Sequence, residues 1–199
     1  MIIKVEIQGD TPLLCNRFTD ANAEAVENGT TKTMVGRKGT PRERAEPKLY
    51  VAGGVPVIPG PNIFRAIIDA GRFHKSGRSM ITTGKSSLIP GGVMVLEADC
   101  PIVNPECTDP TWEVDSRRVV IPGGGAIMCH RPRFDAWRLA FTLDVDESMF
   151  DESIVRLLVD DAGKKIGLGD FRPARKGPFG RFSVVSWDLL RATVKRKAS

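Results

Sequence analysis

The stretch richest in groups that could do chemistry runs from Ile166 to Phe182. It gathers Gly167, Gly169, Gly177 and Gly180 with Phe171, Phe179, Arg172, Arg175, Lys176 and Arg181. Arginine and lysine neutralise phosphate, glycine lets a backbone approach closely, and a phenylalanine ring can stack on a base. Together they point to binding of single-stranded nucleic acid, although either ring taken alone suits a core-capping role better.

Groups that would carry catalysis are sparse. His74 and His130 are the two histidines. General acid–base work needs an orienting partner and a second titrating group, and the sequence identifies neither for His74. A phosphate contact is the expected role of His74. Cys15, Cys100, Cys107 and Cys129 form no C-x-x-C pair, which excludes a zinc ribbon and a thioredoxin-like site. Gly84-Lys85-Ser86 looks like the end of a P-loop. The upstream Gly77 leaves six intervening residues instead of four, and no strand leads into it. The acids between Asp144 and Asp161 suit a solvated helix start better than a two-metal site. No cofactor, no metal and no enzymatic activity are expected.

Charge is unevenly placed along the 199 residues, whose formal net charge is +5. One basic segment holds Lys32, Arg37, Lys38, Arg42, Arg44 and Lys48 against Glu43 and Glu46. A second holds Arg65, Arg72, Lys75, Arg78 and Lys85 against Asp69. The third runs from Lys164 to Arg181 with Asp170 as its one acid. An acidic block from Asp144 to Asp161 offsets them. Three basic segments in one modest domain favour a polyanionic ligand over solvated surface. No apolar run approaches the roughly 18 residues of a membrane span. The first residues alternate like a strand and lack a signal-peptide pattern. A cytoplasmic protein without a membrane partner is expected.

The elements that must position these groups follow from periodicity. Ile3, Val5 and Ile7 alternate with polar residues and predict a strand. A short helix is expected over 21–27, capped by Thr19 or Asp20, and a long polar loop over 29–48. Gly53-Gly54 predicts a hairpin between 49–51 and 55–58. Ile63, Phe64, Ile67, Ile68 and Ala70 predict a helix with Asn62 as its N-cap. Strands are expected at 93–97, 117–121, 137–145 and 182–187. Asp151 and Glu152 open a second amphipathic helix, where the dipole favours acids. The order of the main elements, β–α–β–β–α–β, is that of an α+β, ferredoxin-like (RRM-like) domain. It would span 1–190, with large insertions at 10–60 and 98–130, and a basic flexible tail would follow at 191–199. Its sheet would leave one face free of helices, a platform for single strands.

Val57-Ile58-Pro59-Gly60-Pro61-Asn62-Ile63-Phe64-Arg65-Ala66 resembles the Ile-Pro-Gly start of the first helix in the RAMP superfamily, the repeat-associated proteins of CRISPR effector complexes. The 166–182 stretch is similar to their glycine-rich loop, and Thr11-Pro12-Leu13-Leu14 to their N-terminal pattern. Pro61-Asn62 replaces the usual pair of serines. Where target-cleaving members carry an aspartate, the nearest acid is Glu46, which argues against ribonuclease activity. The resemblance implies a backbone subunit of an effector ribonucleoprotein. Such a subunit binds guide RNA, meets a complementary target strand and other effector subunits, and assembles helically with its own copies. The 29–48 loop would reach a neighbouring protomer or the strand. A stand-alone single-stranded DNA-binding or annealing protein is the alternative, and a guide-processing endoribonuclease using His74 is the third.

Overall fold

The computed structural model describes residues 1–19, 23–24, 27–29, 39–107, 111–120 and 125–190. The expected 21–27 helix, Lys32, Arg37, Lys38 and the 191–199 tail lie largely or wholly outside these residues. Chain order begins with strands β1 (Ile2–Gly9) and β2 (Leu13–Leu14), then helix α1 (Pro41–Ala45). Strands β3 (Val51–Ala52) and β4 (Val55–Pro59) form the hairpin over Gly53-Gly54, and helix α2 (Gly60–Ala70) follows at once. Next come the small hairpin of β5 (Lys75–Ser76) and β6 (Ser79–Met80), helix α3 (Ile89–Gly92), and strands β7 (Val93–Val95) and β8 (Asp99–Pro101). A long two-stranded arm, β9 (Glu113–Val120) with β10 (Ala126–Phe134), precedes β11 (Arg138–Val145), helix α4 (Glu152–Asp161) and β12 (Phe182–Leu190).

The class is α+β with antiparallel sheets. The main sheet has four strands in the order β12-β1-β11-β7, and every neighbouring pair is antiparallel. Ile3, Val5 and Ile7 on β1 and Leu139, Phe141 and Leu143 on β11 face one side and are fully buried. Helices α2 and α4 cover that side. Ile63, Ala66, Ile67 and Ala70 recur at helical spacing on α2, and Val155, Leu158 and Val159 do so on α4. Burying one such aliphatic side chain contributes roughly 1.5–3 kcal/mol. The sheet and the two helices therefore form a stiff frame for whatever stands at their edges.

Local chemistry sets the helix limits, and two differ from expectation. α2 begins at Gly60 with Pro59 as N-cap, so Asn62 lies in its first turn and caps nothing. Pro61 near the helix start has its φ already set for helix, which moves the start upstream. Gly60 is required there, because a Cβ would lie 2.0 Å from the Glu97 carbonyl oxygen. The second difference is at 41–48, expected as loop. Thr40 caps α1 by accepting from Glu43 N–H, while the Glu43 carboxylate accepts from Thr40 N–H at 2.7 Å, and a 3₁₀ turn continues to Lys48. α4 opens at the expected acids, and Asp151 proves to be its N-cap: its Oδ1 accepts from Ile154 N–H at 2.9 Å.

Candidate nucleic-acid interface

A cavity of about 480 Å³ opens where the first turn of α2 meets the glycine-rich loop. α2 contributes Asn62, Arg65 and Ala66, the loop contributes 167–172 and Arg175, and Arg131 of β10 lines it as well. Cys15, Asn16, Tyr50 and Ile58 complete the lining. Four arginines thus meet one aspartate, Asp170. The partial positive charge of the α2 N-terminus adds to theirs.

The loop owes its shape to its tethers. Leu168 N–H donates to Gly180 O at 2.9 Å, Gly180 N–H to Pro12 O at 2.8 Å, and Asp170 N–H to Leu14 O at 2.8 Å. At Gly180, with φ +69°, a Cβ would sit 1.9 Å from Leu168 O; at Gly169, with φ +71°, it would sit 2.4 Å from Leu14 O. The glycines were expected to open the backbone to a ligand. In the structure these two let the chain pack on itself, against the Thr11-Pro12-Leu13-Leu14 segment.

Asp170 is the loop's anchor. Its Oδ2 lies 2.7 Å from Arg131 Nε and accepts from Asn16 Nδ2 at 3.0 Å, and its Oδ1 accepts from Phe171 N–H at 2.9 Å. Arg131 and Asp170 largely neutralise each other, so the open positive charge belongs to Arg65, Arg172 and Arg175. Arg65 shares Asp69 with Arg72 (3.3 and 3.1 Å). Arg172 donates to Gly169 O at 2.8 Å, and Arg175 has no ion pair among the described residues. Burial first, and then the adjacent Arg175, hold the Arg172 pKa below the usual guanidinium value. Positive charge that its surroundings do not neutralise is what an anion would relieve. The Cys15 thiol is pushed up to about 12 by burial, so the cavity holds no reactive thiolate.

The structure brings together five of the site residues picked from the sequence: Asn62, Arg65, Phe171, Arg172 and Arg175. Lys32, Arg37 and Lys38 lie outside the described residues, and the remaining ones stand elsewhere. Lys176 and Arg181 are exposed outside the cavity. Phe179 is 8% exposed, with the Arg117 guanidinium 4.8 Å over its ring, so it is not open to a base. Arg42 lies 4.1 Å over Trp112 and Arg44 donates to Met128 O, which pins α1 to the β9–β10 arm. Arg72 pairs with Asp69. His74 Nε2 lies 2.9 Å from Asp161 Oδ2, which also pairs with Lys165 at 2.7 Å. His74 therefore does have an orienting carboxylate, 87 positions away in sequence. Sequence reasoning missed Asn16, Tyr50 and Arg131 at the cavity. Tyr50 is the one tyrosine of the chain and stands just before the β3–β4 hairpin, a signal that could have singled it out.

The uncovered face of the main sheet differs from a base-stacking platform. In register across it stand Lys4, Glu6 and Gln8 on β1, Arg138, Ala140, Thr142 and Asp144 on β11, and Ser186 and Asp188 on β12. None is aromatic, and Arg138 is engaged by Glu6 and Gln8 at 3.1 and 2.7 Å. Among the described residues no helix is long and apolar enough to cross a membrane, and no group of three or more His, Cys, Asp or Glu could hold a metal.

No protein-family profile matches the chain, and no curated protein matches it by sequence. Solved structures do match by fold. One is a chain of the type III-B Cmr-beta complex, determined bound to cognate target RNA, with TM-score 0.50 and 13% identity over 94% of this chain and 59% of that one. Another belongs to a type IV-B CRISPR complex, with TM-score 0.49 and 12% identity over 100% and 96%. The present chain thus spans 59% of the Cmr-beta chain it matches. The resemblance to CRISPR effector subunits read from the sequence is met at the level of the fold.

Proposed function

We propose that the chain is a non-enzymatic, single-stranded nucleic-acid-binding subunit of a CRISPR-type effector ribonucleoprotein, with guide RNA as its ligand. The observation that carries this reading is the cavity, where Arg65, Arg172 and Arg175 converge between the Ile-Pro-Gly helix and the glycine-rich loop. These are two of the three segments in which the family resemblance lies. The sheet order, last strand–first–third–second with two crossover helices on one face, supports a ferredoxin-like core within 1–190. The Cmr-beta complex is described with a cognate target RNA, which supports a complementary strand as the second partner. Helical assembly with its own copies, contact with other effector subunits and a cytoplasmic setting complete the proposal. His74, tied to Asp161 and away from the cavity, has no part in cleavage.

The test is a salt titration of binding to single-stranded RNA and DNA, with Arg172→Ala/Arg175→Ala beside the parent and circular dichroism as the folding control. The expected result is affinity that falls steeply with salt, RNA preferred. In the variant the slope flattens by about 0.7 per lost phosphate contact, or about 1.4 for both. Tighter binding to DNA would replace guide RNA by a single-stranded DNA function. Binding absent at low salt, or the same slope in parent and variant, would remove the proposal. RNA cleavage that disappears in His74→Ala would instead establish an endoribonuclease.

A further inference from the structure

Resting on that reading, we infer that the cavity takes one whole nucleotide of the strand, its base included, rather than a backbone phosphate alone. Three observations meet here. The first is size. A volume of about 480 Å³ is far more than a phosphate needs and falls in the range of pockets for whole small molecules, about 300–1,000 Å³.

The second is that two aromatic rings share the lining with the cations. Phe171 is half-buried on the cavity wall rather than sunk in the core, and its backbone has φ +48°. A bulky residue in the left-handed region is strained, and such strain collects at binding sites. The surroundings enforce it: Asp170 accepts from Phe171 N–H, Phe179 N–H donates to Phe171 O, and Gly177 passes so close that a Cβ would lie 1.7 Å from that oxygen. The loop thus keeps this ring at the cavity against its own backbone preference. Tyr50 brings the second ring, from a different part of the chain.

The third is unspent hydrogen-bonding capacity. Neither the Tyr50 hydroxyl nor the Asn62 amide has a hydrogen bond among the described residues, yet both line the cavity. The rings offer a stacking surface that every base can use, and the hydroxyl and amide can meet a base edge. Arg65, Arg172 and Arg175 take the phosphate.

The experiment measures fluorescence anisotropy of two single strands of equal length and charge, an oligoadenosine and its abasic counterpart. Proteins are the parent, Tyr50→Leu, Phe171→Asn and Arg172→Ala/Arg175→Ala. Asparagine tolerates left-handed backbone, so Phe171→Asn removes the ring without adding strain. Melting curves establish that each variant is folded. The expected result is about tenfold tighter parental binding of the oligoadenosine, lost in both ring variants, while abasic binding stays at the parental value. The arginine variant weakens on both strands. Equal parental affinity for the two strands, with ring variants unchanged, would overturn the nucleotide pocket and leave a backbone-binding site. Ring variants that weaken both strands equally would also overturn it, because the rings would then only shape the loop. An arginine variant that binds both strands like the parent would overturn the underlying reading as well.

Discussion

The uncovered face of the sheet and the cavity beside α2 both present charged side chains, and they treat them in opposite ways. On the sheet, the two terminal nitrogens of Arg138 donate to Glu6 and Gln8, leaving its Nε as the one unpaired atom of that group, and Lys4 stands opposite Asp188 in the β1–β12 register. In the cavity, Arg172 is held close to Arg175, and the two aspartates that act on it are shared: Asp69 with Arg65 and Arg72, Asp170 with Arg131 and Asn16. A satisfied surface has little to gain from a polyanion, whereas crowded like charges gain a great deal. Counting cations along the sequence does not separate the two. Their partners do, and most of those partners are remote in sequence.

The largest effect expected from breaking this contrast is at the loop's scaffold. Gly180→Ala places a Cβ 1.9 Å from Leu168 O at a φ of +69° that alanine disfavours. The variant should lose at least about 2 kcal/mol of stability and, with it, the alignment of Arg172 and Arg175. Urea unfolding and anisotropy together check this. A variant as stable as the parent would mean that the loop is not tethered through this close approach.

How far the sequence reveals this arrangement depends on the range of each signal. α2, α4, β1 and β11 are visible because apolar residues repeat at 3.6 or 2 over eight or more positions. α1 is not visible that way: it has five residues, with Ala45 alone buried. Its marker is the Thr40–Glu43 capping box, which a search for apolar periodicity passes over. Asn62 and Arg65 were legible at the cavity because the helix start is a local pattern. Phe171 was legible as part of the glycine-rich loop, but the burial of Phe179 was not, since it is decided by Arg117, which lies far away in sequence. Asp161 as the partner of His74, and Tyr50 at the cavity, depend on tertiary contacts that no spacing encodes.

A smaller effect concerns the arm that backs the cavity. His130, next to Arg131, is buried, and its Nδ1 lies 2.7 Å from Ser116 Oγ. Burial, then Arg44 and Lys48, push its pKa below the usual imidazole value. A depressed histidine means that the unfolded chain binds more protons below about pH 6.5. The stability that neutral His130 contributes is therefore full above about pH 6.5 and declines as pH falls toward the folded-state value. Thermal melts of the parent should drop more steeply below that pH than those of His130→Asn. Parallel curves would show that this histidine is not the group being protonated. The parent's affinity for nucleic acid should follow the same trend if the arm supports the cavity through Arg131.

The smallest effect is expected on the sheet, and it tests the contrast most directly. Lys4 is exposed near the centre of the uncovered face, between Thr142 and Asp188 in register. A strand laid across this face would contact it, and losing one phosphate contact would weaken binding and lower the salt slope by about 0.7. The acids around Lys4, Glu6, Asp144 and Asp188, repel such a strand, and the face has no ring for a base. Lys4→Gln should therefore leave affinity within about twofold of the parent, the residual coming from charge screened beyond about 10 Å. Arg175→Gln removes one charge of the same sign from the cavity and should cost about fivefold or more at low salt, with a flatter salt slope. Both sites are exposed, so neither change should alter stability by more than about 0.5 kcal/mol. Equal losses for Lys4→Gln and Arg175→Gln would mean that the protein attracts nucleic acid by its overall charge. A larger loss for Lys4→Gln would move the binding surface to the sheet.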